Sequence, residues 1–343
     1  MGEIKPNMLT KISTRELERR WKAVRTAMKE AKLDFLIMQN CTDFLGGYVK
    51  WFTDISPREN YTWTVIFPRE DEMTTMRHGP AGTRDPGLPG IKKHIGVPIL
   101  PTCCFGNAWE AEAVVNELAG YRNINIGLIG KGFISTAFND YLISHLPSAK
   151  FSDASEIVDN IKAVKSDEEI EHIKQICTIQ DECWAYALSV TKPGRKNFEV
   201  FADIMHKCMM TGSYQASLEF CSSPYGICPP RGTEKDDRFR VLQEGDQISM
   251  RIESLGASGY YAELIGVVVL GKICPELQEQ FDIAVKAQQL SMDLCKPGAS
   301  PMDIWEPYNA YLRSVKQPEE KGSCCTDRGM IWWSGRQFNP VKP

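Results

Sequence analysis

Between Val241 and Gly271 the chain reads as a β-hairpin. Gly245-Asp246 is a turn signal, and beyond it Ile248, Met250 and Ile252 alternate with Ser249, Arg251 and Glu253 at the period of a half-buried strand. Gly256 and Gly259 punctuate, and Tyr260 to Leu270 reads as a second, more apolar strand. A short glycine-containing connection lets two such strands pair, and side chains two apart on a strand share a face. Arg251, Glu253 and Glu263 are therefore expected on one face. That face is either the solvated ion pair of an ordinary sheet or a charged pocket able to hold a carboxylate or amidine group.

A repeat flanks the hairpin. A long helix from Lys165-Ser166 to about Val190 stops at Lys192-Pro193-Gly194 and is followed by a helix from Phe198 to Met210. A second helix, Ala284 to Leu294, stops at Lys296-Pro297-Gly298 and is followed by Met302 to Val315. A supersecondary unit used twice suggests two related halves around a shared sheet. The first copy is followed by strands. The second is followed by a stretch that does not alternate, so the sheet is expected to present unpaired edges.

The N-terminal half alternates strand and helix, which argues an α/β domain with a mixed sheet. Ser13 or Thr14 caps a predicted helix from Arg15 to about Ala31, with Leu17, Trp21, Val24 and Met28 on its apolar face. Strands are predicted at Asp34 to Gln39, Tyr61 to Pro68, Glu72 to Met76, Asn123 to Ile129 and Lys150 to Asp153, with a glycine loop at Gly46-Gly47. Helices are predicted at Trp109 to Leu118, Thr136 to Leu146 and Glu156 to Ala163. Residues 78 to 104, rich in Pro and Gly, read as loop with a strand near Val97 to Leu100. The domain boundary falls near Asp153 to Asp159, and Ser166 with Glu169 forms a capping box at the start of the long helix.

Composition excludes several functions. At 343 residues two domains are expected, and a net charge of -4 with pI near 5.9 carries no footprint for nucleic acid. No apolar run is long enough to cross a bilayer, so no membrane partner is expected. The first twenty residues have no apolar core and do not read as a signal peptide. The twelve cysteines are scattered, without zinc spacing, and read as reduced thiols, which points to a cytoplasmic protein.

The hairpin's Gly245-Asp246 and Gly259-Tyr260-Tyr261, with Lys165-Ser166-Asp167-Glu168-Glu169-Ile170, resemble segments of the creatinase, aminopeptidase P, prolidase and methionine aminopeptidase superfamily. The nearest likeness is to creatinase, which also carries Gly-Tyr-Tyr and has no metal. The resemblance implies an α/β fold class in two parts. These are a creatinase N-terminal-like domain over residues 11–155 and an incomplete pita-bread domain over 158–321, followed by an aberrant tail over 322–343. Relatives continue into a His-Gly-x-Gly motif where this chain has Ser323 to Phe338. That stretch, back-translated and read one nucleotide out of step, can give such a motif, so a frameshifted or truncated tail is expected.

Peptidases of this superfamily hold two divalent metals with two Asp, one His and two Glu. By resemblance the first Asp position falls on Arg251, whose guanidinium cannot ligate a cation, and the second on Glu263, which still could. The expected catalytic His has no counterpart near Cys228, and none of the five histidines (His78, His94, His145, His172, His206) stands at a ligand position. No metal or other cofactor is therefore expected. Glu263 and Glu253 are the expected catalytic groups, and Arg251 and Tyr260 the expected substrate contacts. Arg58 is a looser candidate, placed where creatinase sends an arginine across its dimer. The resemblance implies a homodimeric, metal-independent hydrolase of a small carbon–nitrogen substrate. A non-catalytic relative and a lyase on the same scaffold stay open.

Overall fold

The computed structural model describes residues 11–40, 47–56, 61–98, 109–213, 215–227 and 238–319. The chain forms two compact units. One runs to Glu171 and takes in Ser258–Tyr260, and the other takes in His172–Ala257 and the chain from Tyr261.

The first unit is built on a seven-stranded mixed sheet. Its elements are α1 (Thr14–Glu30), β1 (Phe35–Asn40), α2 (Tyr48–Thr53), β2 (Trp63–Pro68), β3 (Met73–His78), β4 (Gly82–Arg84), β5 (Ile91–Val97), α3 (Trp109–Leu118), β6 (Asn125–Ile129), α4 (Thr136–His145), β7 (Lys150–Asp153) and α5 (Ser155–Ala163). The sheet order is β4-β5-β3-β2-β1-β6-β7. The β1/β6, β6/β7 and β3/β5 pairs are parallel and the other three antiparallel. One face is covered by α1, α2 and α5 and the other by α3 and α4. Leu17, Trp21, Val24 and Met28 of α1 are buried, as their spacing requires, and such a face contributes roughly 6–12 kcal/mol before entropy is counted. Ser13 is the cap, its Oγ accepting from the Glu16 amide at 3.1 Å.

Two expectations are corrected in this unit. The strand expected near Val97 to Leu100 lies earlier, at Ile91–Val97, because Lys92, Lys93 and His94 interrupt the apolar pattern of a strand lying between β3 and the short β4. β4 itself lies in the stretch read as loop, and all three of its residues are exposed. Of the glycine loop expected at Gly46-Gly47, Gly46 lies outside the described residues and Gly47 caps α2, which starts at Tyr48 and stops where Asp54 adopts a left-handed φ of 56°. Gly90 also has positive φ, +66°, and a Cβ there would meet Trp21 Cη2 at 2.3 Å.

A buried ionic network ties this unit together. Arg20 is fully buried and donates from Nε to Glu16 at 2.8 Å, from Nη2 to Glu169 at 3.0 Å and from Nη1 to the Trp51 carbonyl at 2.9 Å. The capping box is present: the Ser166 amide donates to Glu169 Oε2 at 2.8 Å, and the Glu169 amide to Ser166 Oγ at 3.2 Å. Burial would raise the Glu16 carboxyl, but the Arg19 and Arg20 guanidiniums outweigh it and hold the group at about 2.

The second unit carries α6 (Asp167–Val190), which begins just before the division, then α7 (Asn197–Met210), β8 (Gln215–Ser223), β9 (Gln247–Leu255), β10 (Tyr261–Val269), α8 (Pro275–Leu294) and α9 (Pro301–Ser314). Its sheet has the order β10-β9-β8, antiparallel throughout. Gly194 and Gly298 both take φ +87°, and in each copy the next helix starts three residues later, so the repeat is one of conformation as well as sequence. The first helix after the hairpin, α8, is longer than expected, opening at Pro275 rather than Ala284, with proline in its first turn. The Gly245-Asp246 turn is fixed by Asp246, which accepts from both Arg240 Nη atoms at 2.6 and 2.7 Å and from the Gln243 amide at 2.7 Å.

Candidate functional site

The two faces of the β8–β10 sheet differ in chemistry, and pairing register decides which residues go where. Ile248, Met250, Ile252 and Ser254 point to the side packed by helices, where Gln180 of α6 donates to the Ile252 carbonyl at 2.9 Å and Ser222 bonds Asn197 of α7 at 2.9 Å. The opposite side carries Arg251 and Glu253. Arg251 stands across from Glu219 on β8 and Ile265 on β10, and Glu253 across from Ser217 and Glu263. Strand alternation therefore brings Glu219, Arg251, Glu253 and Glu263 onto one face.

Arg251 is the centre of this group. Its Nη2 lies 2.5 Å from Glu219 Oε1, and its Nε lies 3.7 Å from Glu263 Oε1. The second distance suits an ion pair but not a hydrogen bond, and both of those atoms are buried without a hydrogen-bond partner. Glu253 is 6% exposed and directly opposite Glu263. Like charges facing each other across a ladder repel. Burial raises both carboxyls above the usual range. Glu219 pushes each of them further up, Arg251 opposes the rise, and Glu253 adds to it at Glu263. The result is one cation among three carboxylates, with Glu253 and Glu263 facing each other across the ladder.

The sequence-derived site residues divide accordingly. Arg251, Glu253 and Glu263 are brought together. Tyr260, expected beside them, is assigned to the other unit. Its hydroxyl donates a short bond to Glu169 and accepts from Arg20 Nη2 at 3.2 Å, which makes it part of the buried network. Arg58 and the tail over 322–343 lie outside the described residues. Glu219 was missed by the sequence reading. Its signal is the alternation of β8 (Gln215, Ser217, Glu219 against Ala216, Leu218, Phe220), which places it on the polar side once the strand is recognised.

A divalent cation needs several hard anionic oxygens converging on one point. Here a guanidinium stands among them, already linked to two of the three carboxylates. Among the described residues no three His, Cys, Asp or Glu side chains are grouped to hold an ion. This face as built does not fit a metal centre. No helix among the described residues is long and apolar enough to cross a membrane.

Comparison with known proteins places this half of the chain. The family model described as Metallopeptidase family M24 matches residues 171–339. An uncharacterized hydrolase/peptidase of Sinorhizobium fredii is 28% identical over 335 residues, covering 93% of this chain and 81% of that protein. The Xaa-Pro dipeptidase of Pyrococcus horikoshii is 23% identical over 156 residues, covering 45% of this chain and 43% of that protein. Among solved structures, the X-Pro aminopeptidase of Thermotoga maritima aligns with TM-score 0.68 at 17% identity, over 86% of this chain and 78% of that one. The prolidase of Pyrococcus horikoshii aligns with TM-score 0.65 at 15% identity, over 87% and 78%. These structural likenesses carry the fold, and the mixed α/β architecture agrees with them. Residues 171–339 thus match the metallopeptidase family M24, and the fold is that of the pita-bread prolidase and aminopeptidase P structures.

Proposed function

We propose that the chain acts as a creatinase- and Xaa-Pro-peptidase-like hydrolase on a small carbon–nitrogen substrate, without a resident metal. The relatives' names point to peptide-bond hydrolysis as the reaction class. The observation that carries the metal-independent part is Arg251, held 2.5 Å from Glu219 and 3.7 Å from Glu263 in the middle of the polar face. A guanidinium in that place supplies the fixed positive charge that a carboxylate or a developing oxyanion needs, through parallel N–H donors. Glu253 and Glu263, both raised by burial, provide the acid and base: one holds a proton for the leaving nitrogen while the other takes one from water. Arg251 orients the substrate's anionic end, and the pairing of β9 with β10 sets the spacing of the two carboxyls.

The same salt links favour a second reading, in which Arg251 is committed to Glu219 and the face binds a partner or metabolite without turnover. One experiment separates them. The purified chain is screened by thermal shift against small ureido, amidino and Xaa-Pro compounds, and hits are assayed for hydrolysis with added manganese or cobalt and with chelator. Turnover indifferent to metal and chelator supports the first reading, and stabilisation without turnover the second. Two stoichiometric divalent ions in the purified protein, with activity that follows them, would overturn both.

A further inference from the structure

The polar face of the β8–β10 sheet is graded from one end to the other. Glu253 is buried, and side-chain exposure rises from 17% at Glu263 through 23% at Arg251 to 38% at Glu219. A molecule arriving from solvent therefore meets the Arg251–Glu219 link before the inner carboxyls. At its own rung of the ladder Arg251 faces Ile265 on β10, which carries no charge, and Glu219 on β8. Glu219 takes Nη2 at 2.5 Å, whereas Glu263 lies 3.7 Å from Nε, beyond hydrogen-bond range. The short ionic contact of Arg251 is thus made by the most exposed carboxylate of the three.

We infer that Glu219 is a specificity-determining residue of this face: its carboxylate occupies the guanidinium edge that a ligand's carboxylate needs, so an anionic ligand binds by displacing it. The inference rests on the reading that Arg251 receives the substrate's anionic end. A carboxylate gains most from a guanidinium when it docks on two parallel N–H donors, and Glu219 prevents this by holding Nη2. A partly exposed ion pair is weak enough for a solute carboxylate to exchange with it. With Glu219 ionised, three carboxylates stand against one guanidinium, so a free carboxylate is repelled where a neutral ureido or amide group is not. Glu219 therefore selects by charge. Glutamine at this position keeps the shape and an acceptor oxygen, loses the charge and releases the fork.

Calorimetric titration of the full chain with N-carbamoylglycine and with its neutral amide tests this. Glu219→Gln should bind the acid at least about fivefold more tightly than wild type, with the amide changed by less than about twofold. The gain should vanish when Arg251→Met is added, and a gain that persists there would mean a general field effect and overturn the proposal. Weaker binding of the acid by a folded E219Q would overturn it too, because that is what a brace holding Arg251 in place predicts. Acid affinity indifferent to R251M alone, or no binding of the acid by wild type and E219Q, would sink the reading of Arg251 and the inference with it. Loss of the acid in R251M without a gain in E219Q would sink the inference alone. A crystal structure of the unmodified chain with N-carbamoylglycine decides even if the variants fail to fold. Glu219 must then have left Nη2, and a bound acid with that pair intact refutes the proposal.

Discussion

Replacing Arg20 with methionine isolates the energetics of the first unit's buried network. The guanidinium is fully buried, makes three hydrogen bonds of 2.8–3.0 Å and lies 5.0 Å over the Trp51 ring. Methionine keeps much of the apolar stem but leaves the carboxylates of Glu16 and Glu169, 4% and 1% exposed, without their principal cation. Removing one member of a buried ion network typically costs about 3–5 kcal/mol, because the surviving charge is stranded. At about 2–4 °C per kcal/mol for a unit of this size, the melting temperature should fall by roughly 6–20 °C. The neighbouring Arg19 also touches Glu16 (2.8 Å) and Glu169 (3.2 Å), but it is 42% exposed, and its replacement should cost under about 1 kcal/mol. The pH dependence has a definite sign. Glu16 is held at about 2, below its ordinary 4.5, so its stabilisation is complete above about pH 5 and is lost as pH falls towards 2. Calorimetry on wild type and R20M between pH 7 and pH 3 should show the gap narrowing on the acid side. A gap under about 2 °C at pH 7, or one that widens on acidification, would refute the reasoning.

Other substitutions test separate parts of the structure. Glu110 accepts from Thr64 Oγ1 at 3.0 Å and Gln39 Nε2 at 3.2 Å, and burial pushes it up to about 7, so the folded state holds a proton that the unfolded state has released above about 4.5. Stability should therefore decline as pH rises from about 4.5 to 7, and Glu110→Gln should raise the melting temperature more at pH 8 than at pH 5, by differential scanning fluorimetry. Gly90→Ala, with positive φ and a Cβ 2.3 Å from Trp21, should cost about 1–3 kcal/mol in urea denaturation. Arg251→Lys keeps a positive charge but loses the planar fork, and should weaken binding of any anionic hit from the thermal-shift screen by at least about tenfold, by calorimetric titration.

The sequence made the periodic parts of the fold legible and left obscure the parts where tertiary context overrides pattern. The face of α1 and the ends of α3 and β7 could be read directly, because apolar spacing and caps agree there. β5 was displaced in the reading because Lys92-Lys93-His94 looks like loop. In the fold His94 is nevertheless buried and its Nδ1 lies 3.0 Å from Thr75 Oγ1. Of the site, the sharing of one face by Arg251, Glu253 and Glu263 followed from a period of two alone. Glu219 did not, since finding it requires knowing that β8 pairs with β9 in a register that sets 219 against 251. Tyr260 shows the opposite limit: three residues before Glu263 in sequence, it sits outside the strand, where its hydroxyl meets Glu169.

That limit also explains why the motif Lys165-Ser166-Asp167-Glu168-Glu169-Ile170 has a structural consequence beyond starting a helix. Glu169 closes the capping box through Oε2, and its other oxygen, Oε1, accepts from Arg20, Trp51 and Tyr260. Glu169 is 1% exposed, and the fully buried Arg20 guanidinium 3.0 Å away is its counter-charge. The cap, the cation and the hairpin's tyrosine are thus interdependent, and losing one leaves the others buried with unmet demands. Glutamine at 169 would still accept at Oε1 and could still donate near Ser166. It would, however, leave the guanidinium of Arg20 with a single carboxylate partner, Glu16. Glu169→Gln should therefore cost less than Arg20→Met, and the double variant less than the sum of the two, since both break the same link. Additive losses in such a cycle would show that Arg20 and Glu169 stabilise the unit independently, contrary to the geometry.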